Sequence, residues 1–219
     1  MIPSNAPNGT VSPSSLVFAL SGESRTSPLA FLHMIERLKT TPRTGWVNRD
    51  IIKPESIADH MYRMSVISML CPDPAINRDK CVKMAIVHDM AEAIVGDITP
   101  SDPISSIEKH KMERNAMQFM MDDLLQTSCP NAAKEIMTLW EEYEDGSSID
   151  AKFVKDVDKF ELLMQIVEYE CSHKGDKCFQ DFIDGLKEFQ TPCIREWATE
   201  LMHERARVWE NLTAKTQQS

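Results

Sequence analysis

Three ionisable residues interrupt an apolar stretch of the sequence. His88, Asp89 and Glu92 lie within residues 82–95, where almost every other side chain is apolar. At about 100° per residue of a regular helix, Glu92 falls about 40° and Asp89 about 100° from His88, so the three share one sector. Burying an imidazole or a carboxylate without a partner is costly. Because His nitrogen and Asp oxygen are good ligands for divalent cations, this sector predicts a metal site.

By itself, a His-Asp pair is weak evidence for a metal site. A single buried His is more often a hydrogen-bonded core residue than a ligand, so the remaining ligands must come from other segments. Candidates are His60 in a predicted second helix and either Asp156 or Asp158 in a predicted sixth helix. Metal sites inside helical bundles take their ligands from separate helices in this way.

The pattern of apolar residues predicts the helices that would carry these side chains. We expect a second helix over residues 54–70, a central helix over 77–96 capped by Asn77, and a sixth helix over 149–172. Two prolines and two aspartates predict a loop over 97–103. No segment has a convincing strand pattern, so the predicted fold class is all-α.

The composition indicates one globular domain with short tails. Of 219 residues, 42% are hydrophobic and 26% are charged, which is ordinary for a soluble protein. Residues 1–26, rich in Ser, Pro, Asn and Gly, are a predicted disordered tail. Residues 27–212 are the predicted folded domain, and residues 213–219 a disordered end.

Charge and cysteine content narrow the class of partner and the compartment. A net charge of −10 argues against nucleic acid or an anionic membrane surface as a main partner. No apolar run is long enough to span a bilayer. The six cysteines show no CxxC spacing and are typical of free thiols in a reducing compartment, so we expect a cytoplasmic protein.

Four segments together resemble a known family. The order His, His-Asp, Asp is the signature of the HD superfamily of metal-dependent phosphohydrolases. Residues 54–64, 87–98, 140–144 and 155–159 are similar to those of eukaryotic HD domain-containing 5′-deoxynucleotidases, and the resemblance spans about residues 28–190. It implies an HD-domain helical bundle that hydrolyses deoxyribonucleoside 5′-monophosphates.

The resemblance also implies a set of metal ligands. These are His60, His88, Asp89 and Asp158 around one divalent cation. Asp158 is preferred because it holds the family position after a Lys-x-x pattern, and Asp156 is the alternative. The mixed nitrogen and oxygen set suits Mn²⁺, Co²⁺, Mg²⁺, Fe²⁺ or Zn²⁺ without choosing among them.

Further roles follow from the same resemblance. Glu92 and Asp97 are expected at the catalytic centre, either handling protons or, with the Ile98 backbone, holding a second ion. Trp46 matches an aromatic residue that contacts the nucleotide, although it could equally cover the core. Bacterial relatives carry an Arg immediately before that Trp, where this chain has Gly45. The predicted substrate-binding residues are Arg43 (or, as an alternative, Arg49), Trp46, Asp97, Ile98, Thr99 and Pro100.

The residues leave two simpler roles and two other functions open. Glu92 could support a ligating His, and Arg63 could simply pair with an acid. The first other function is a different HD reaction, on a nucleoside triphosphate, a cyclic nucleotide or an alarmone. The second is a metal-stabilised helical interaction module without turnover. The resemblance further implies a homodimer.

Overall fold

The computed structural model describes residues 28–216, with side chains described for residues 28–212. This part of the chain forms α-helices and one π-helical turn, Phe119–Leu125. The α-helices are α1 (Pro28–Ile35), α2 (Arg37–Thr40), α3 (Thr44–Val47), α4 (Ile57–Met69), α5 (Arg78–Val87), α6 (Glu92–Val95), α7 (Ser106–Gln118), α8 (Pro130–Asp145), α9 (Ile149–Ser172), α10 (Gln180–Gly185) and α11 (Pro192–Thr216).

The predicted all-α fold class is confirmed. Within residues 28–216 there is no strand, only an isolated antiparallel bridge between Pro42 and Ser56. In the same residues, no helix combines the length and apolar character needed to cross a membrane. The predicted tail, residues 1–26, lies outside the described residues. Helix α11 continues to Thr216, into the predicted C-terminal end, and residues 217–219 lie outside the described part.

The described chain divides into two compact units. The first comprises residues 28–59 and 89–138. Its helix α7 begins with a capping box, in which the Ser105 hydroxyl accepts from the Glu108 backbone and the Glu108 carboxylate accepts from the Ser105 backbone. Helix α1 packs on the π-helical turn and α6 packs on α7. Their buried side chains include Phe31, Met117 and Leu124.

The second unit comprises residues 60–88 and 139–216. Helix α9 is its longest buried element and packs against α5 and α11. The Ser148 hydroxyl caps α9 by accepting from the Ala151 N–H at 3.0 Å. Buried Phe153, Val157 and Ile166 lie along α9, and each contributes about 1.5–3 kcal/mol relative to an exposed side chain.

The central helix differs from its prediction. Asn77 caps α5 as expected, accepting from the Lys80 N–H at 3.1 Å, but α5 ends at Val87. Further along, N–H groups bond three residues back, Glu92 to the Asp89 carbonyl at 3.0 Å and Ala93 to the Met90 carbonyl at 3.2 Å. Such bonds wind the chain more tightly than an α-helix. The angular relations expected for a regular helix over 77–96 are therefore wrong across residues 88–91.

Candidate metal centre and active site

His60 lies at the centre of a group of ionisable residues in the second unit. It is fully buried, with 0% of its surface exposed, on helix α4. Its Nδ1 lies 2.5 Å from Glu161 Oε2, and its Nε2 lies 3.2 Å from Asp158 Oδ1. Both acids belong to α9, so one helix presents a carboxylate to each nitrogen of the same ring.

His60, His88 and Asp158 form a candidate metal-binding cluster. Each offers one ligand atom, and the three atoms lie within 4.8 Å of one another. The two imidazole rings meet at an angle, with centroids 5.5 Å apart. Two nitrogens and a carboxylate oxygen are a common donor set for a divalent transition cation. The donors of this unit therefore fit the predicted metal.

Neighbouring groups orient two of these side chains. The His88 Nδ1–H donates to the Ala85 carbonyl at 2.9 Å, which leaves Nε2 as the lone-pair nitrogen of the neutral ring. Tyr143 donates its hydroxyl to Asp158 Oδ2 at 2.9 Å, and its ring lies edge-on to His88 with centroids 5.0 Å apart. Tyr143 lies in one of the family-like segments but had no role assigned from the sequence.

The two candidate aspartates of α9, Asp156 and Asp158, have different partners. Asp156 is buried, and its Oδ2 accepts from the backbone N–H groups of Gln190 at 2.7 Å and Thr191 at 2.6 Å. Its other oxygen pairs with Lys159 at 2.6 Å. Asp156 thus anchors the segment that precedes α11, whereas Asp158 lies beside His60.

A second group of predicted residues lies in the first unit. The Arg43 guanidinium donates to Asp89 Oδ2 at 3.1 Å. Glu92 is only 2% exposed, and within the described residues its Oε2 has no hydrogen-bond partner. Burial, followed by the charges of Asp89 and Asp97, raises the pKa of Glu92 well above its ordinary range, against smaller opposing effects of Arg43 and Lys109. A buried acid with an unsatisfied oxygen is suited to holding a proton or a cation.

Asp97 ties the predicted substrate loop to helix α3. Its Oδ2 accepts from the Thr44 N–H at 2.6 Å, and its carbonyl accepts from the Thr44 hydroxyl at 2.8 Å. Beyond it, Thr99 donates through its N–H to Asp102 Oδ2 at 2.7 Å. The Thr99 hydroxyl donates to the same oxygen at 2.9 Å, and the two hydrogen bonds from Thr99 lower the pKa of Asp102. Pro100 lies at the exposed end of the same loop.

Lys109 is a charged neighbour of this group that sequence reasoning missed. Its ammonium donates to the Ile98 carbonyl at 3.0 Å and pairs with Glu113 at 3.4 Å. Burial alone would lower the pKa of Lys109, but the surrounding acids, Glu113 first, outweigh burial and raise it. The spacing of Lys109 and Glu113 predicts only an ordinary helix pair, so no local signal marks its contact with the loop.

Trp46 is buried, with 2% of its surface exposed, and its indole N–H donates to Glu55 Oε1 at 2.9 Å. Its two predicted roles, a nucleotide contact and a cover over the core, both stay predictions. Of the two candidate arginines, Arg43 contacts one of the predicted metal ligands, Asp89.

The helices and the neighbouring imidazoles of His60 and His88 define an all-α protein with a candidate metal-binding cluster. A family model described as "HD domain" matches residues 35–196. The chain belongs to this HD domain family. Membership and the cluster together support a divalent metal cofactor.

Similar proteins share most of their length with this chain. It is 48% identical over 189 residues to the 5′-deoxynucleotidase hdd1 of Schizosaccharomyces pombe, covering 86% of this chain and 96% of that protein. It is 46% identical over 192 residues to the 5′-deoxynucleotidase HDDC2 of Homo sapiens, covering 85% and 90%. The solved structure of the HD domain-containing protein YGK1 matches with a TM-score of 0.68 and 29% identity, over 89% of this chain and 94% of that chain. The predicted resemblance is confirmed.

Proposed function

We propose that the protein is a 5′-deoxynucleotidase, a phosphoric monoester hydrolase that converts deoxyribonucleoside 5′-monophosphates to deoxyribonucleosides and phosphate. The observation that carries this proposal is the convergence of His60, His88 and Asp158, in a chain whose full-length relatives are named 5′-deoxynucleotidases.

His60, His88 and Asp158 would hold the divalent cation. Asp89 is the proposed fourth ligand, because it follows His88 directly in the family motif. Asp156 is disfavoured, since its oxygens already accept two backbone N–H groups and pair with Lys159. A bound cation supplies Lewis acidity, which screens the phosphate charge and favours ionisation of the attacking water.

The remaining steps are assigned to other residues predicted from the family resemblance. Arg43 is the proposed phosphate-orienting residue. Its guanidinium has several N–H donors, so it can donate to a phosphate oxygen either in place of Asp89 or in addition to it. Water attacks phosphorus, the bond to the 5′-oxygen breaks, and Glu92 gives that oxygen a proton and takes one from the water. Alternatively, Asp97 and the Ile98 backbone would hold a second ion. Thr99, Pro100 and Trp46 are the other proposed nucleotide-side residues.

A substrate screen tests this proposal. The purified full chain is assayed for phosphate release from deoxynucleoside monophosphates, ribonucleoside monophosphates, deoxynucleoside triphosphates and cyclic nucleotides, after chelation and with each divalent cation restored. We expect metal-dependent release from deoxynucleoside monophosphates, absent in the Asp158→Asn variant, which controls for contaminating phosphatase. Turnover confined to another nucleotide class would point to a different HD reaction. Metal binding without turnover on any substrate would point to an interaction module.

We also propose a homodimer that uses helix α4. In α4, the exposed fractions are 72% for Tyr62, 39% for Val66 and 61% for Met69, and their spacing places them along one helix face. Leu70, the residue after α4, is 62% exposed. An exposed apolar stripe of this kind is typical of an interface, and most soluble oligomers are symmetric homo-oligomers. Light scattering should show a dimer that Met69→Glu weakens. The control Ile107→Glu, at a residue that is 80% exposed on α7, should leave the mass unchanged. A monomeric wild type would contradict the proposal.

The proposed location is the cytoplasm. All six cysteines, each within the described residues, are free, as expected in a reducing compartment. Recovery of the protein in an organelle fraction would contradict this location.

A further inference from the structure

Helix α9 holds the His60 ring from both sides. Asp158 and Glu161 are three residues apart on this helix, so their side chains share one face. Asp158 Oδ1 lies 3.2 Å from Nε2 of the ring, and Glu161 Oε2 lies 2.5 Å from Nδ1. Glu161 is fully buried, which makes a carboxylate at this position costly unless it is paired.

Arg63 supplies the pairing. Its Nε donates to Glu161 Oε1 at 2.7 Å, so the two oxygens of Glu161 serve two different partners. The rest of the guanidinium is held by two further residues of α9, Gln165 at 2.7 Å and Glu168 at 2.6 Å. A carboxylate opposite a guanidinium stays ionised and can only accept, so the hydrogen on the His60–Glu161 bond lies on Nδ1.

We propose that Glu161, held by Arg63, is the positioning residue of the metal centre: it fixes His60 with hydrogen on Nδ1 and the lone pair of Nε2 directed towards the cation. This inference rests on the proposed metal site and adds a role for two residues that do not touch the cation. Groups that orient a ligating His in this way typically change metal affinity 10–100-fold when they are altered.

His88 and His60 use different kinds of acceptor for their Nδ1–H groups. His88 follows the last residue of α5, where the final carbonyls of a helix lack intrahelical partners, and it uses one of them, the Ala85 carbonyl. His60 lies inside α4, and its Nδ1–H is directed to an acceptor on another helix, Glu161 of α9.

The first test compares two matched substitutions on α9. Glu161→Gln removes the charge that meets His60, whereas Glu168→Gln makes the same chemical change at another acceptor of Arg63 that does not contact His60. The affinity of the full chain for Zn²⁺ alone is measured by competition with a chromophoric chelator. We expect it to fall roughly 10–100-fold in Glu161→Gln and less than about twofold in Glu168→Gln. Equal affinities in the wild type and Glu161→Gln would overturn the proposal.

The second test measures the His60 ring in the wild type. In Zn²⁺-loaded wild type labelled with ¹⁵N-histidine, His60 should show a hydrogen on Nδ1 and none on Nε2, assigned by comparison with His60→Gln. A hydrogen on Nε2 would overturn the proposal. Both readouts are independent of turnover. If the wild type released no phosphate from any deoxynucleotide, the proposed function would fail while the affinity and tautomer measurements still decided the role of Glu161.

Discussion

Arg43 pairs with Asp89, its Nη1 lying 3.1 Å from Asp89 Oδ2. The pair joins the residue that precedes α3 to the second residue of the His-Asp motif, 46 positions away in sequence. Because Gly45 occupies the place of the Arg found in bacterial relatives, this contact gives a physical reason to assign the phosphate-orienting role to Arg43.

The Arg43→Ala variant should bind substrate more weakly. Losing a charge-assisted hydrogen bond to a phosphate costs about 1.5–3 kcal/mol, which corresponds to a KM about 10–150-fold higher. The expected fall in kcat is smaller. Arg49→Ala is the matched control, with an unchanged KM expected. If the KM of Arg49→Ala rose and that of Arg43→Ala did not, the assignment would have to be reversed.

We expect Asp158→Asn to reduce metal binding and Asp156→Asn to reduce stability. Asp158→Asn should lose bound metal, measured by elemental analysis, because it removes a charged donor beside His60. Asp156→Asn should keep its metal but lose stability by about 1–3 kcal/mol, since it weakens the bonds to Gln190, Thr191 and Lys159. Full metal content in Asp158→Asn, with loss in Asp156→Asn, would show that Asp156 is the ligand.

Local patterns predicted much of the second unit and less of the site. The predicted sixth helix coincides with α9, because its Ser148 cap and periodic apolar residues are local signals. The end of α5 at Val87 was missed, since residues 88–91 contain neither Gly nor Pro. The pairing of Arg63 with an acid was considered from the sequence. That acid is Glu161, 98 residues away, and only the packed structure identifies it.

Glu92→Gln should separate chemistry from binding. If Glu92 handles protons, turnover with saturating metal should fall by a factor of roughly 10² or more. The first cation and the fold should be retained, because Glu92 is not among the three clustered ligands. A deoxynucleoside monophosphate should therefore still raise the Tm of the variant. Near-normal turnover would leave Glu92 with a supporting role only.

The same substitution should change how stability depends on pH in metal-free protein. The pKa of Glu92 is raised in the folded state. In the unfolded chain, Glu92 has the ordinary pKa of a glutamate, about 4.3, and loses its proton above that pH, whereas the folded state still keeps it. The stabilisation is fully present below that pH and is lost as the pH rises through the raised value. A Gln at position 92 stays neutral at every pH, so the variant does not lose this stability.

The Tm of chelator-treated Glu92→Gln should therefore exceed that of the wild type by a margin that grows between pH 5 and pH 8. Glu135→Gln, at an exposed acid of the same unit, should follow the wild type. Parallel Tm curves for the wild type and Glu92→Gln would mean that burial does not disfavour the charged form of Glu92.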